Sequence, residues 1–322
     1  MIVGIDVGGT NARALLIDPI SGHITDRATA SSAGTGDELV QTLVGLVAQL
    51  TSRNEGHVDA VGLGIAGLVS RSGTVRYSPN LPALIEFPIG QALRDHLGVP
   101  VAVGNDATTG AWGEARLGAG RDIDDFVFVA LGTGIGTGWI VNGQLVLGSN
   151  GFAGEAGHMT INSDGDVHLT GQPGPWEYYA SGNALGRLGR EAAQARPRGH
   201  LALTAAAGTG VADISGLDVV EALDAGDEQA AEVFAEFCLE VAIGVANLIA
   251  ILDPRRVVIG GGLAAIGERL RSGVAAALAP IVTGAEHRPE IEVVLAELGP
   301  DAGALGAALM ALDAADPTKR TL

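Results

Sequence analysis

Two hydrophobic rhythms alternate along the chain. Short, nearly continuous apolar runs at 2–7, 60–66, 99–103, 126–131 and 256–259 predict buried strands, because a strand covered on both faces needs no polar alternation. Elsewhere apolar residues recur in helical spacing, at 39–50, 89–97, 217–225 and 302–314, which predicts helices with a buried face. Residues 106–117, 176–188 and 263–278 also read as helices. Residues 227–252 read as a long, largely apolar one, stopped by Asp253-Pro254. Residues 12–17 and 139–141 are shorter strand-like runs, each following a strand across a Gly-Thr turn. VGIDVGGTNARALLID and VFVALGTGIGTGWIVNG therefore read as corresponding hairpins of two similarly built domains. Residues 74–82 and 160–176 read as loops from their Pro, Gly and Asp content, 196–215 as a mobile connection and 318–322 as a frayed end.

This alternation predicts an α/β protein, and 322 residues allow roughly two domains. Composition narrows the partners. A net charge of −18 argues against nucleic acid, whose backbone is held by clustered Lys and Arg. Lys319 is the only lysine, so phosphate chemistry here must use arginine, backbone N–H groups, hydroxyls and a metal ion. No apolar run reaches the roughly 18 residues of a membrane span, and the first residues do not read as a signal peptide. The single cysteine, Cys238, excludes an intrachain disulfide, so a cytoplasmic protein is expected.

Candidate chemistry gathers at the turns. Gly132, Gly134, Gly136 and Gly138 alternate with small residues, a backbone that can cradle a phosphate. Asp6 ends a strand just before Gly8-Gly9-Thr10. A carboxylate beside a phosphate needs a cation between them, so Asp6 is a candidate Mg²⁺ anchor, or else a turn cap. Thr10 and Thr133 add donors, and Arg13 is the nearest fixed positive charge. A strand rather than a helix follows each of these turns, which excludes a P-loop or a dinucleotide fingerprint. Gly260-Gly261-Gly262 follows a strand and opens a helix, which suits a flat ring or merely tight packing. Asn105-Asp106 stands at a strand-to-helix junction, where Asp106 could take a proton from an attacking hydroxyl or cap the helix. Glu155, His158 and Glu177 flank a loop and could hold sugar hydroxyls; Glu155 and His158 could instead share a metal with Asp166 or His168.

These residues, in this order, resemble the ROK family of bacterial sugar kinases and sugar-responsive repressors. The resemblance runs from Ile2 to Ala314. It is carried by DVGGT (6–10), GIAG (64–67), SPNLP (78–82), GND (104–106), LGTGIGTG (131–138), GEAGH (154–158), EYYASG (177–182) and the LDP…VVIGGG run (252–262). It implies the two-domain actin and hexokinase-like (ribonuclease H-like) α/β fold, with an interdomain active-site cleft. Residues 1–117 plus 302–322 would form a smaller domain and 118–301 a larger one. The implied reaction is ATP- and Mg²⁺-dependent phosphorylation of a hexose 6-hydroxyl in carbohydrate metabolism, glucose first. An N-acetylhexosamine or mannose acceptor, a polyphosphate donor, or a sugar-binding pseudokinase are the alternatives. Asp106 would be the base. Gly67, Asn80, Asn105, Glu155, His158 and Glu177 would hold the sugar. Asp6, Gly8, Gly9, Thr10, Arg13, Thr133 and Gly134 would serve the phosphates, and Gly261 and Gly262 the adenosine. A homodimer or homotetramer is implied as well.

Two departures stand out. The family's cysteine-rich zinc segment has His168, Thr170 and Pro175 at its cysteine places, so no structural zinc is expected and the loop must be ordered by packing, with Trp176 the candidate. Asn11 stands where many members carry lysine. A repressor role is disfavoured by the charge and by a first strand that starts at Ile2 with no helix-turn-helix before it.

Overall fold

The computed structural model describes residues 1–19, 21–54, 57–167, 171–196 and 210–315. His168, Thr170, most of the connection read at 196–215 and the end read at 318–322 lie outside the described residues. The chain packs as two compact units. Met1–Phe128, Thr137–Gly154 and Ala296–Leu322 form the first, and Val129–Gly136 with Glu155–Leu295 the second. These units follow packing, whereas the expected division at 117/118 and 301/302 follows the family resemblance.

In the first unit a five-stranded sheet has the order β3-β2-β1-β4-β7. Its strands are β1 (Ile2–Val7), β2 (Asn11–Ile17), β3 (Ile24–Ser31), β4 (Ala60–Ile65) and β7 (Val101–Asn105). β1 and β2 form the expected antiparallel hairpin, while β4 and β7 join parallel to β1. Parallel pairing brings the carboxyl ends of β1, β4 and β7 to one edge of the sheet, the edge at which α/β sheets bind ligands.

Both faces of this sheet are covered. Val3, Ile5, Val7 and Leu16 pack with Leu39, Leu43 and Leu46 of α1 (Gly36–Asn54) and with Leu93 of α2 (Ile89–Leu97). Ile2, Leu15 and Ile17 pack with Ala304, Leu305 and Ala308. Those three belong to the closing helix, Ala302–Ala315. That helix lies so near the sheet that a Cβ on Gly4 or Gly62 would overlap its backbone carbonyls. Its other neighbour is α3 (Asp106–Leu117).

A second five-stranded sheet has the order β10-β9-β8-β11-β12. It uses β8 (Phe126–Leu131), β9 (Ile135–Val141), β10 (Gln144–Leu145), β11 (Arg256–Gly260) and β12 (Glu292–Leu295). The second unit adds α4 (Trp176–Ala180), α5 (Gly182–Ala195), α6 (Gly216–Asp224), α7 (Glu228–Leu252) and α8 (Glu268–Leu278); the closing helix of the first unit is then α9.

Several elements differ from the sequence reading. β3 is half-exposed and mostly polar, so no apolar run marks it. The loop read at 74–82 contains β6 (Val75–Tyr77), which pairs with β5 (Leu68–Val69) as a two-stranded ribbon. The helix read at 176–188 is broken at Ser181, whose Oγ accepts the Ala184 N–H at 3.3 Å and starts α5. The helix read at 263–278 is a 3₁₀ turn, Gly262–Ile266, then α8, separated by Gly267 at φ +76°. α7 is long and apolar enough to cross a membrane by length and composition alone. Within its unit it packs against α4, α5, α6 and α8 and buries Val233, Phe237, Val241 and Val245, so it is read as a core helix.

Candidate active site

Asp6 lies on β1, opposite Arg13 of β2 and beside Gly64 of β4. The turn after it is closed by the Gly8 N–H donating to Asn11 O at 3.0 Å. Ser32 fixes it from outside, with Oγ donating to Gly8 O at 2.7 Å and its N–H to Thr10 O at 3.0 Å. A Cβ on Gly9 would stand 3.3 Å from Asn80, so the turn and the Asn80 loop are neighbours. That loop is held by buried Ser78, whose Oγ accepts the Leu81 N–H at 3.2 Å.

The third strand end carries Asn105 and Asp106. The helix cap is Asn105 rather than Asp106. Asn105 Oδ1 accepts the N–H groups of Ala107 and Thr108 at 2.9 and 3.2 Å, and its Nδ2 donates to Gly67 O at 3.1 Å. Gly67 has φ +127°, and a Cβ there would overlap the Tyr77 carbonyl. One side chain thus ties the start of α3 to the Gly67 turn and fixes the backbone that presents Asp106. Asp106 Oδ1 accepts the N–H of Ala107 at 2.9 Å, and the carboxylate also interacts with its own backbone N–H.

The electrostatics of this edge come from crowding. Burial pushes the Asp106 carboxyl above the usual carboxylate range, partly opposed by the Ala107 N–H. Burial also raises Asp6, to about 6; the nearby Asp106 charge adds to the rise and Arg13 opposes it. Two recessed carboxylates that repel each other fit a divalent cation. Mg²⁺ needs only one or two protein carboxylates when phosphate oxygens and waters complete its shell.

In the second unit the glycine turn after β8 is pinned by its surroundings. The Gly132 N–H donates to Gly134 O at 2.9 Å, and the Gly182 N–H to Gly132 O at 2.7 Å. Glu177 Oε2, at the start of α4, accepts the Ile135 N–H at 2.8 Å. A Cβ on Gly134 would overlap that carboxylate. Thr133 and Glu177 line a cavity of about 200 Å³ together with Ser181, Asn183, Arg187 and Arg190. The sequence reading overlooked these last four. Their signal was the Ser-Gly break after EYYA and two arginines three apart on the helix that follows. Gly261, at φ +80°, lies against the backbone of Leu131, while the Cα of Gly262 faces open space.

Glu155 precedes and His158 ends a 3₁₀ turn, with Glu155 Oε2 3.8 Å from His158 Nε2. His158 Nδ1 is buried and has no partner among the described residues. Among those residues no three His, Cys, Asp or Glu side chains converge as a metal site. Cys238 is buried in α7, where burial pushes its thiol to about 12. The loop before α4 is held by protein contacts. Trp176 is fully buried, its N–H donates to Met159 O at 2.8 Å and its Nε1 to Glu240 O at 3.0 Å. Tyr178 OH donates to Asp166 Oδ2 at 2.9 Å, and Asn162 Nδ2 to Tyr179 OH at 3.2 Å.

The structure thus gathers Asp6, Gly8, Gly9, Thr10, Arg13, Gly67, Asn80, Asn105 and Asp106 within the first unit. Thr133, Gly134, Glu155, His158, Glu177, Gly261 and Gly262 belong to the second.

Comparison with known proteins places this arrangement in a wider set. The ROK family model matches residues 2–314. A glucokinase from Streptomyces coelicolor is 33% identical over 313 residues, covering 97% of each chain. Among solved structures, a ROK family glucokinase from Streptomyces griseus in complex with glucose and AMPPNP has a TM-score of 0.85 at 36% identity, covering 97% of this chain and 99% of that one. A ROK hexokinase from Thermus thermophilus has a TM-score of 0.80 at 30% identity, covering 97% of each.

Proposed function

The chain belongs to the ROK family, with its two-domain actin and hexokinase-like fold, and from that premise we propose that it is a glucokinase transferring the γ-phosphoryl group of ATP to the 6-hydroxyl of glucose. The observation that carries the reading is Asp106: a recessed carboxylate, raised by burial, at the first position of a helix whose cap is supplied by a different residue. Asn105 supplies the cap of α3, so the Asp106 carboxyl is not needed for it. A raised carboxyl is also a better proton acceptor near neutral pH than an ordinary one.

In this reading Asp106 takes the proton as the 6-oxygen attacks the γ-phosphorus, and ADP leaves with the bridging oxygen. Asn80, Asn105, Glu155, His158 and Glu177 hold sugar hydroxyls, with Gly67 lining them. The Gly8-Gly9-Thr10 and Thr133-Gly134 turns hold phosphates by backbone N–H groups and hydroxyls, and Gly261 and Gly262 lie against the adenosine. Asp6 would hold Mg²⁺, which when bound would neutralise phosphate charge. The glucokinase of Streptomyces coelicolor and the Streptomyces griseus ROK family glucokinase in complex with glucose and AMPPNP support this assignment. The enzyme is read as cytoplasmic, glycolytic and a homodimer or homotetramer.

A coupled ADP-release assay over glucose, mannose, N-acetylglucosamine and N-acetylmannosamine tests the acceptor, with ATP or polyphosphate as donor. Glucose with ATP should give the highest kcat/KM. A higher value with an N-acetylhexosamine, or equal rates with polyphosphate, would overturn acceptor or donor. No turnover with any pair would leave a sugar-binding protein. The same sample should carry no stoichiometric zinc; one zinc per chain would return His158 to a ligand role.

A further inference from the structure

Arg13 is placed by the sequence among the phosphate-side residues. Its guanidinium has another neighbour in the fold. Arg13 Nη1 donates to Pro300 O at 2.6 Å, in the short turn that leads into α9. Arg13 stands opposite Asp6 in the β1–β2 register, so the two side chains leave the same face of the sheet. Arg27 leaves that face too, because it stands opposite Leu15 of β2. Arg27 Nη1 pairs with Asp301 Oδ1 at 2.6 Å. Two arginines from adjacent strands therefore grip consecutive residues of one turn, the first by a carbonyl and the second by a carboxylate.

The turn so held delivers the first residues of α9 to Asp6. The second residue of that helix is Gly303. A Cβ there would stand 3.0 Å from Asp6 Oδ1 and 3.1 Å from its Cγ, closer than ordinary van der Waals contact. α9 thus meets Asp6 at a position without a side chain. Ala302 before it and Ala304 after it are buried, so neither leaves comparable room.

We propose that Arg13 is a positioning residue: through Pro300 it holds the amino-terminal turn of α9 beside Asp6, and Gly303 leaves that carboxylate the space to carry the divalent cation. This rests on the reading of Asp6 as the cation anchor. It departs from a phosphate-ligand role for Arg13, because the guanidinium's hydrogen bond goes to the protein's own backbone. A lysine at this position could keep one donor to Pro300 O but not the planar fork.

The test uses Arg13→Met, Arg13→Lys, Gly303→Ala and Asp6→Asn in the full chain. Three quantities are read: amide hydrogen exchange at 299–304 without nucleotide, Mn²⁺ affinity by electron paramagnetic resonance with a non-hydrolysable ATP analogue present, and affinity for that analogue without metal. Arg13→Met should speed exchange at 299–304 and weaken Mn²⁺ binding about tenfold, the lower end of what losing a group that orients a metal ligand costs, with metal-free analogue affinity unchanged. Gly303→Ala should weaken Mn²⁺ comparably while exchange stays slow, and Arg13→Lys should lie between wild type and Arg13→Met. If Arg13→Met instead lowers metal-free analogue affinity and leaves exchange and Mn²⁺ binding alone, Arg13 is a phosphate ligand and the proposal fails. If Asp6→Asn binds Mn²⁺ like the wild type, the anchor reading itself fails, whatever Arg13 does.

Discussion

The two Gly-Thr turns look alike in sequence and are built differently. The Gly8-Gly9-Thr10 turn is open: a Cβ on Gly8 would meet nothing closer than 3.8 Å, and the strand before it carries a carboxylate whose charge is disfavoured by burial. The turn at Gly132 to Gly134 is closed around a carboxylate that arrives from another element, with Glu177 filling the space a side chain on Gly134 would need. Gly8 in the first turn answers to vacancy and Gly134 in the second to packing. Space left unfilled next to a strained charge is read as space for substrate and cation. Space filled by a carboxylate that accepts a backbone N–H is read as a preset support. The first turn therefore belongs to the part of the protein that changes charge during turnover, and the second to a part that holds still.

If that contrast is right, the largest losses follow changes to carboxylates of the first unit. Asp106→Asn removes the proton acceptor but keeps the shape and the Asn105 cap. It should lower kcat by about 10³-fold, with glucose affinity within a few-fold by isothermal titration. A kcat close to wild type would remove Asp106 as the base and erase the contrast.

Asp6→Asn should separate stability from activity. The folded protein binds the Asp6 proton more tightly than the unfolded chain does, because the group is raised from 3.8 to about 6. The stability this proton contributes is fully present below pH 3.8 and is lost as pH rises through about 6. At neutral pH the free protein therefore carries a charge that costs roughly 2–3 kcal/mol. Asp6→Asn should be more stable than wild type by about that amount in urea at pH 7.5, and equal to it near pH 4. A stability advantage of Asp6→Asn over wild type that is larger at pH 4 than at pH 7.5 would show that something other than this carboxylate sets the difference.

Most of this architecture could be read before the structure. Apolar runs located β1, β4, β8 and β11 within a residue or two, since strands buried on both faces declare themselves by composition. β3 escaped because its solvent side is polar, and β6 because prolines beside it speak of loop. The breaks at Ser181 and Gly267 escaped because helical periodicity continues across a cap. In the site, residue types were legible but not their division of labour. Asn105 and Asp106 are adjacent polar residues in the sequence, and only the bonds to Ala107, Thr108 and Gly67 show that one holds the helix while the other is left to react. The Arg187 and Arg190 lining of the Thr133 cavity was hidden because both arginines lie on α5, beyond a break at Ser181 that the pattern does not announce.

The closed turn should respond through stability. Gly134→Ala places a methyl where the Glu177 carboxylate sits. That carboxylate is the end of a flexible side chain and can move, but only by giving up the Ile135 N–H. The cost should be about 1–3 kcal/mol, that of a backbone donor left without its acceptor, read as a lower urea midpoint with an unchanged m-value. Glu177→Gln keeps an acceptor for Ile135, so it should cost less than Gly134→Ala. The reverse order would mean that the turn is not packed on this carboxylate.

Gly8→Ala should have the smallest effect on the fold, and the contrast depends on it most directly. Its φ lies outside the left-handed region and its nearest neighbour, Asn11 O, would be at ordinary contact distance from a new Cβ. The melting temperature should stay within about one degree, the shift expected when no packing, cap or hydrogen bond is altered. If the turn holds a phosphate, as proposed, the methyl takes up room that the phosphate needs. The KM for ATP should therefore rise while glucose affinity holds. A drop in melting temperature matching that of Gly134→Ala would mean that both turns are glycine for packing alone. An unchanged KM with an unchanged melting temperature would mean that the vacancy beside Gly8 is not where a phosphate goes, and Asp6 would then stand alone as the reason to place the nucleotide there.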